Sequence, residues 1–182
     1  MKIFKTGFEG LLIIKPDIYN DTRGYFFESY NNKSYLEAGL DFLPVQDNES
    51  KSSIGVVRGL HYQLKPFDQA KLIRVIEGKI FDVALDLRRG SPTFGKWYGT
   101  ELDSEAKTQL FIPKGFAHGF SVLSEKAIIL YKCDNLYNPE YERGISVMDP
   151  GLNIDWRTGE TEMIISVKDS GNPLFRDAEY NF

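Results

Sequence analysis

The sequence predicts an all-β chain, a sandwich or barrel with a few short helices, and three observations carry that prediction. Aromatic residues are abundant, with 13 Phe, 10 Tyr and 2 Trp among 182 residues, and flat side chains pack well on a pleated surface. Apolar runs are short and recur throughout, each closed by Gly, Pro, Asn or Asp. Only the stretch Asn32–Ala38 has the pattern of a helix.

Taken in chain order, the first strands read at Leu11–Ile14 and Tyr25–Tyr30. The helix over Asn32–Ala38 follows, with Gly39 as its stop. Val56–Gln63 and Leu72–Ile76 read as strands, and Glu77-Gly78-Lys79 reads as a tight hairpin leading into Ile80–Leu87. In that last run Phe81, Val83, Leu85 and Leu87 share one face while Asp82 and Asp86 share the other. This is the period-two pattern of a strand between two different environments. Leu110–Ile112, Phe116–Leu123 and Ala127–Lys132 complete the strands, and the stretch from about Glu160 reads as a less regular appendage. Many short strands with regular turns imply a jelly-roll barrel whose mouth holds a ligand, in one domain over residues 1–182.

Composition narrows the function. At 42% hydrophobic and 26% charged, the chain falls outside the disordered and fibrous classes. A net charge of −4 argues against non-specific binding to nucleic acid or an anionic membrane. It leaves room for an anionic small substrate held by a few converging Arg and Lys. Cys133, the single cysteine, cannot form an internal disulfide and suits a reducing compartment. The opening MKIFKTGFEG lacks the apolar run of a signal peptide. No apolar run approaches the roughly 20 residues of a membrane-spanning helix. The expectation is a soluble cytoplasmic protein.

The two histidines stand in unusual settings. His61 lies in Arg58-Gly59-Leu60-His61-Tyr62-Gln63, and His118 lies in the glycine-rich Lys114-Gly115-Phe116-Ala117-His118-Gly119-Phe120. Each reads either as a hydrogen-bonded core histidine or as a general base, because imidazole titrates near neutral pH. A barrel metal site usually wants two imidazoles two residues apart on one strand face. Position 63 is Gln and position 59 is Gly, so no metal is expected. Arg58 and His61 are an odd number of residues apart, so both line one cavity only if the strand is irregular near Gly59.

Lys71 groups with Ile73 and Val75 on one strand face, where an ammonium needs a partner or a use such as binding phosphate or an enolate oxygen. The alternative is a rim lysine reaching water. Tyr131, Tyr137 and Asp169 read on their own as packing residues and a turn carboxylate. There is no Gly-x-Gly-x-x-Gly, P-loop or Gly-x-Ser-x-Gly motif, so cofactor-dependent hydride transfer and ATP-driven chemistry have no support.

Together, several segments in order resemble the dTDP-4-dehydrorhamnose 3,5-epimerase family, from about Gly10 to Phe175. They are Arg23–Ser29, Gln46–Ser50, Arg58–Gln63, Asp82–Arg88, Ser91–Gly95, Ile112–Phe120 and Val167–Asp169. The resemblance implies a cupin-type jelly roll that uses no metal and no cofactor, and a homodimer that lends an N-terminal strand to its partner. It implies His61 as general base, Asp169 as the carboxylate orienting it, and Tyr131 as proton donor from the far side of the sugar. Lys71 is implied near the ketone oxygen and Tyr137 stacked on the thymine. Arg23, Phe26, Glu28, Gln46, Asp47, Asn48, Arg58, His118, Glu142 and Lys168 match substrate-contacting positions, with Arg23 and Glu28 expected from the partner subunit.

The chemistry suits these residue types. In a 4-keto-6-deoxyhexose the protons at C3 and C5 both lie α to the ketone, so inversion needs a base on one face and an acid on the other. The implied reaction converts dTDP-4-dehydro-6-deoxy-D-glucose to dTDP-4-dehydro-L-rhamnose. The competing readings are an epimerase acting at one carbon only, a non-catalytic barrel binding a nucleotide sugar, and a metal-dependent enzyme on the same barrel.

Overall fold

The computed structural model describes residues 1–182. Its strands are β1 (Lys2–Lys5), β2 (Leu12–Lys15), β3 (Tyr19–Asp21), β4 (Gly24–Phe26), β5 (Gln46–Ser53), β6 (Val57–Gln63) and β7 (Lys71–Glu77). They continue with β8 (Lys79–Asp86), β9 (Trp97–Asp103), β10 (Gln109–Ile112), β11 (Phe116–Val122), β12 (Lys126–Cys133) and β13 (Glu142–Gly144). Two short helices, α1 (Asn32–Glu37) and α2 (Val167–Ser170), and a 3₁₀ turn at Phe175–Asp177 complete it. Asn31 caps α1 by accepting from the Ser34 N–H, and Gly39, at φ +81°, ends it as expected.

Two antiparallel sheets face each other. One has the order β1-β2-β10-β7-β12-β5 and the other β13-β6-β11-β8-β9. This is the all-β jelly roll expected. Ile73, Val75, Leu110 and Ile129 from the first sheet pack against Ile80, Ala84, Phe116 and Phe120 from the second. Both sheets are covered outside as well. Phe81, Val83, Leu85 and Leu87 meet Ile145, Val147 and Trp156 in a second cluster. Ile14, Leu72 and Phe111 meet Tyr35 and Phe42 in a third. The alternation read in β8 is therefore real, but neither face is wet: Asp82 and Asp86 are fully buried on the inner side.

Three expectations need correction. Gly78 does not form a hairpin, because β7 and β8 belong to different sheets and never pair. It is a corner where the chain changes layer, at φ +81°, and a Cβ there would stand 2.0 Å from the Lys126 carbonyl oxygen. Tyr25–Tyr30 is not one strand. β4 stops at Phe26 and pairs only with β3, in a two-stranded ribbon whose Tyr19, Tyr25 and Phe26 are exposed. The stretch after Glu160 is no appendage, since Met163, Ile165, Phe175, Tyr180 and Phe182 pack onto the second cluster.

Candidate active site

A cavity of about 310 Å³ opens between the β5 end of one sheet and the β13 end of the other. β5, β7 and β12 line it from one side, and β6, β11 and β13 from the other. His61, Lys71, His118, Tyr131, Gln46, Asn48, Arg58, Tyr137 and Glu142 all contribute to its wall. Nine of the expected site residues thus share one cavity.

Local irregularity makes this possible. Gly59 has φ +125°, and the pairing of β6 with β11 slips between His118 and Phe120. A Cβ at Gly59 would lie 2.6 Å from the Gly119 Cα, so only glycine lets the strands approach this closely. The slip turns Arg58 and His61 toward the same cavity despite their odd spacing.

His61 is the partly open imidazole. Its Nε2 lies 2.6 Å from Asp169 Oδ1, and the Gly59 N–H donates to Asp169 Oδ2 at 3.3 Å. Asp169 is not the turn carboxylate its local sequence suggests. It sits buried in α2, where its own N–H donates to the capping Ser166 hydroxyl at 3.0 Å. Burial alone would raise its pKa, but the bond and charge of His61, with the Gly59 and Ser166 contacts, hold it below the ordinary carboxylate range.

His118 has a carboxylate of its own. Its Nε2 lies 2.9 and 3.0 Å from the two oxygens of Asp82. Lys71 reaches the cavity, and burial holds its ammonium below the ordinary lysine range, only partly offset by Asp82 and Glu142. Burial likewise raises the Tyr131 phenol. At the mouth, Glu142 accepts from the Tyr137 hydroxyl and from Lys168 Nζ, both at 2.6 Å. Burial opposes ionisation of Glu142, but Lys168 and Tyr137 overcome it and lower its pKa.

Four expected residues lie elsewhere in the chain. Asp47 alternates away from the cavity and pairs with Lys132 at 2.8 Å. Arg23 is exposed on the β3–β4 ribbon and pairs with Asp21 at 2.6 Å. Phe26 is exposed beside it, and Glu28 accepts from Asn31 Nδ2 at 2.7 Å. The N-terminal strand β1 pairs with β2 of the same chain.

Some residues escaped sequence reasoning. Ser50, Gln63, Gln69 and Phe120 also line the cavity, and Asp82 supports His118. For Ser50 no periodic signal was available, since Gln46–Lys51 is polar on both faces of β5. No group of three or more His, Cys, Asp or Glu is arranged to hold a metal ion.

A family model described as dTDP-4-dehydrorhamnose 3,5-epimerase matches residues 5–177. The chain is 49% identical over 181 residues to the dTDP-4-dehydrorhamnose 3,5-epimerase of Shigella flexneri, covering 99% of each protein. Its fold superposes on the enzyme of that name from Elizabethkingia anophelis NUHP1 with a TM-score of 0.92, at 52% identity over 97% of both chains. A dTDP-6-deoxy-D-glucose-3,5-epimerase from Legionella pneumophila Philadelphia 1, solved in complex with dTDP-4-keto-L-rhamnose, superposes with a TM-score of 0.91. Identity there is 50%, over 95% of this chain and 92% of that one.

Proposed function

The chain belongs to the dTDP-4-dehydrorhamnose 3,5-epimerase family, and from that membership we propose that it inverts C3 and C5 of dTDP-4-dehydro-6-deoxy-D-glucose to give dTDP-4-dehydro-L-rhamnose. One observation carries the mechanism: His61 on β6 and Tyr131 on β12 come from different sheets and line the same cavity. A hexose between them has a base on one face and an acid on the other.

The Nε2–H of His61 donates to Asp169, leaving Nδ1 as the basic nitrogen. Nδ1 takes the proton from C3 or C5, the C–H electrons move into the ring as a C–C double bond, and the carbonyl electrons move onto O4. Asp169 stabilises the imidazolium that forms. Lys71, which lines the cavity and forms no salt bridge, is suited to hydrogen-bond the enolate oxygen. Collapse of the enolate takes a proton from the Tyr131 hydroxyl on the opposite face, which inverts the carbon. Exchange with solvent returns His61 and Tyr131 to their starting states before the second carbon reacts. No oxidation state changes, so the reaction needs no redox cofactor.

Arg58 and Lys168 are suited to the diphosphate, with Tyr137 stacking on the base. The exposed β3–β4 ribbon, with Arg23 and Phe26, fits an arm that reaches the cavity of a second subunit in a homodimer. Substrate incubated with enzyme in D₂O tests the reading: deuterium is expected at both C3 and C5. Incorporation at one carbon would make the chain a single-site epimerase, and none would remove the catalytic assignment. A single, buried Cys133 fits a reducing cytoplasm as the place of work.

A further inference from the structure

Tyr137 is half exposed at the cavity mouth, outside any helix or strand, yet the backbone around it is held at four points by side chains. The Tyr137 N–H donates to Gln46 Oε1 at 2.9 Å. The Asn138 N–H donates to Gln63 Oε1 at 2.6 Å, while Gln63 Nε2 donates to the Leu136 carbonyl at 3.2 Å. Gln69 Nε2 donates to the Asn135 carbonyl at 2.7 Å.

The three glutamines come from β5, β6 and the loop before β7, and all line the cavity. Gln63 carries most of the load. It is buried, and its second Nε2 hydrogen bond goes to the Phe67 carbonyl at 2.7 Å, so both donors and the acceptor are engaged. A carboxamide is the one neutral side-chain group of this length that both accepts and donates in this way.

We propose that Gln63, with Gln46 and Gln69, is a positioning residue for nucleotide recognition: the carboxamides fix residues 135–138 so that the Tyr137 ring is preset to stack on the nucleobase. The inference rests on the reading of Tyr137 as the stacking aromatic. Presetting a loop before binding raises affinity by removing the cost of ordering it on binding. Gln63 stands two residues from His61 on β6, so one strand carries both the base and the support of the nucleotide platform.

The test is a double-mutant cycle on dTDP affinity by calorimetry, using Gln63→Met, Tyr137→Ala and the double variant. Gln63→Met is expected to weaken dTDP about tenfold, a share of the affinity that base stacking supplies. It should weaken it little further once Tyr137 is Ala. In turnover the single variant should raise KM while kcat changes less than threefold. Backbone hydrogen exchange should speed up at Tyr137 and Asn138 with β6 and β11 still protected, which distinguishes a local release from unfolding. If Gln63→Met unfolds, Gln69→Met, which removes one contact, is expected to give the same pattern at smaller size. Full additivity in the cycle, or an unchanged dTDP affinity in Gln63→Met, would overturn the proposal. An unchanged affinity in Tyr137→Ala alone would instead remove the stacking assignment.

Discussion

His61 and His118 are register partners on adjacent antiparallel strands, and each imidazole holds its own carboxylate: Asp169 for His61 at 2.6 Å and Asp82 for His118 at 2.9 Å. The pairs differ in access. The His61 side chain is 34% exposed and that of His118 only 8%.

This difference predicts unequal roles. His61→Ala should lower kcat by about 10²- to 10⁴-fold, the usual worth of a general base. It should also abolish deuterium uptake at both carbons. Asp169→Asn should lower kcat with KM less affected, since it acts on the imidazole. His118→Asn should retain measurable exchange, read by proton NMR in D₂O. Full exchange in His61→Ala would contradict the assignment of the base.

Tyr131→Phe removes the proposed far-side proton donor and leaves the His61–Asp169 pair in place. Deuterium should still enter the substrate at C3 or C5 without net inversion, so exchange outpaces product formation. Equal loss of both, measured in one NMR time course, would give Tyr131 a different role.

Subunit complementation tests the proposed arm. If Arg23 serves the partner's cavity, Arg23→Ala and His61→Ala are each impaired alone. Subunits mixed after reversible dissociation should recover about one quarter of wild-type sites, as random pairing in a twofold dimer requires. No recovery after confirmed mixing would place Arg23 outside the partner's site.

Asp86 predicts a pH dependence of stability. Burial opposes its ionisation, yet Arg88, Ser91 and Thr93 lower its pKa to about 2 from 3.8. A depressed carboxylate stabilises the fold fully above its unfolded pKa and loses that contribution as pH falls through the folded value. The contribution is about 2 kcal/mol at neutral pH. Asp86→Asn should therefore lower urea-unfolding stability at pH 7 by at least that much, with the difference shrinking toward pH 2.

Gly78→Ala should destabilise the fold by more than about 1 kcal/mol, because alanine at positive φ is strained and its Cβ meets backbone. Thermal unfolding with unchanged kcat in the folded fraction would show this.

The fold was legible where side-chain chemistry matched strand geometry. β6, β7, β8, β10, β11 and β12 each carry an apolar face, inner or outer, and each was read within a residue or two of its bounds. β5 was not, because its cavity-facing Gln46, Asn48 and Ser50 are polar and its other face bears Asp47, Glu49 and Lys51. A strand without a hydrophobic face gives no periodic signal. β13 is three residues long, and β1 and β9 mix charged and apolar side chains, so they too were missed. The layer change at Gly78 was invisible for another reason: a sharp turn between two strands looks the same locally whether the strands pair or part. Within the site, Asp169 was found only by resemblance, since 108 residues separate it from His61. Asp82, 36 residues from His118, was noted only as the polar face of β8.

The proposed base and acid, His61 and Tyr131, sit on opposite layers of the sandwich, so the gap between them follows the spacing of the two sheets. Packed sheets stand about 10 Å apart, a distance set by the side chains between them. Ile73, Ile80, Phe120 and Ile129 therefore act as spacers as well as a core. A methylene added or removed among them would alter the reach between the proposed proton acceptor and donor, so interior packing becomes a dial on the reaction, with Phe120 in the cavity wall and Ile73 paired in register with Tyr131.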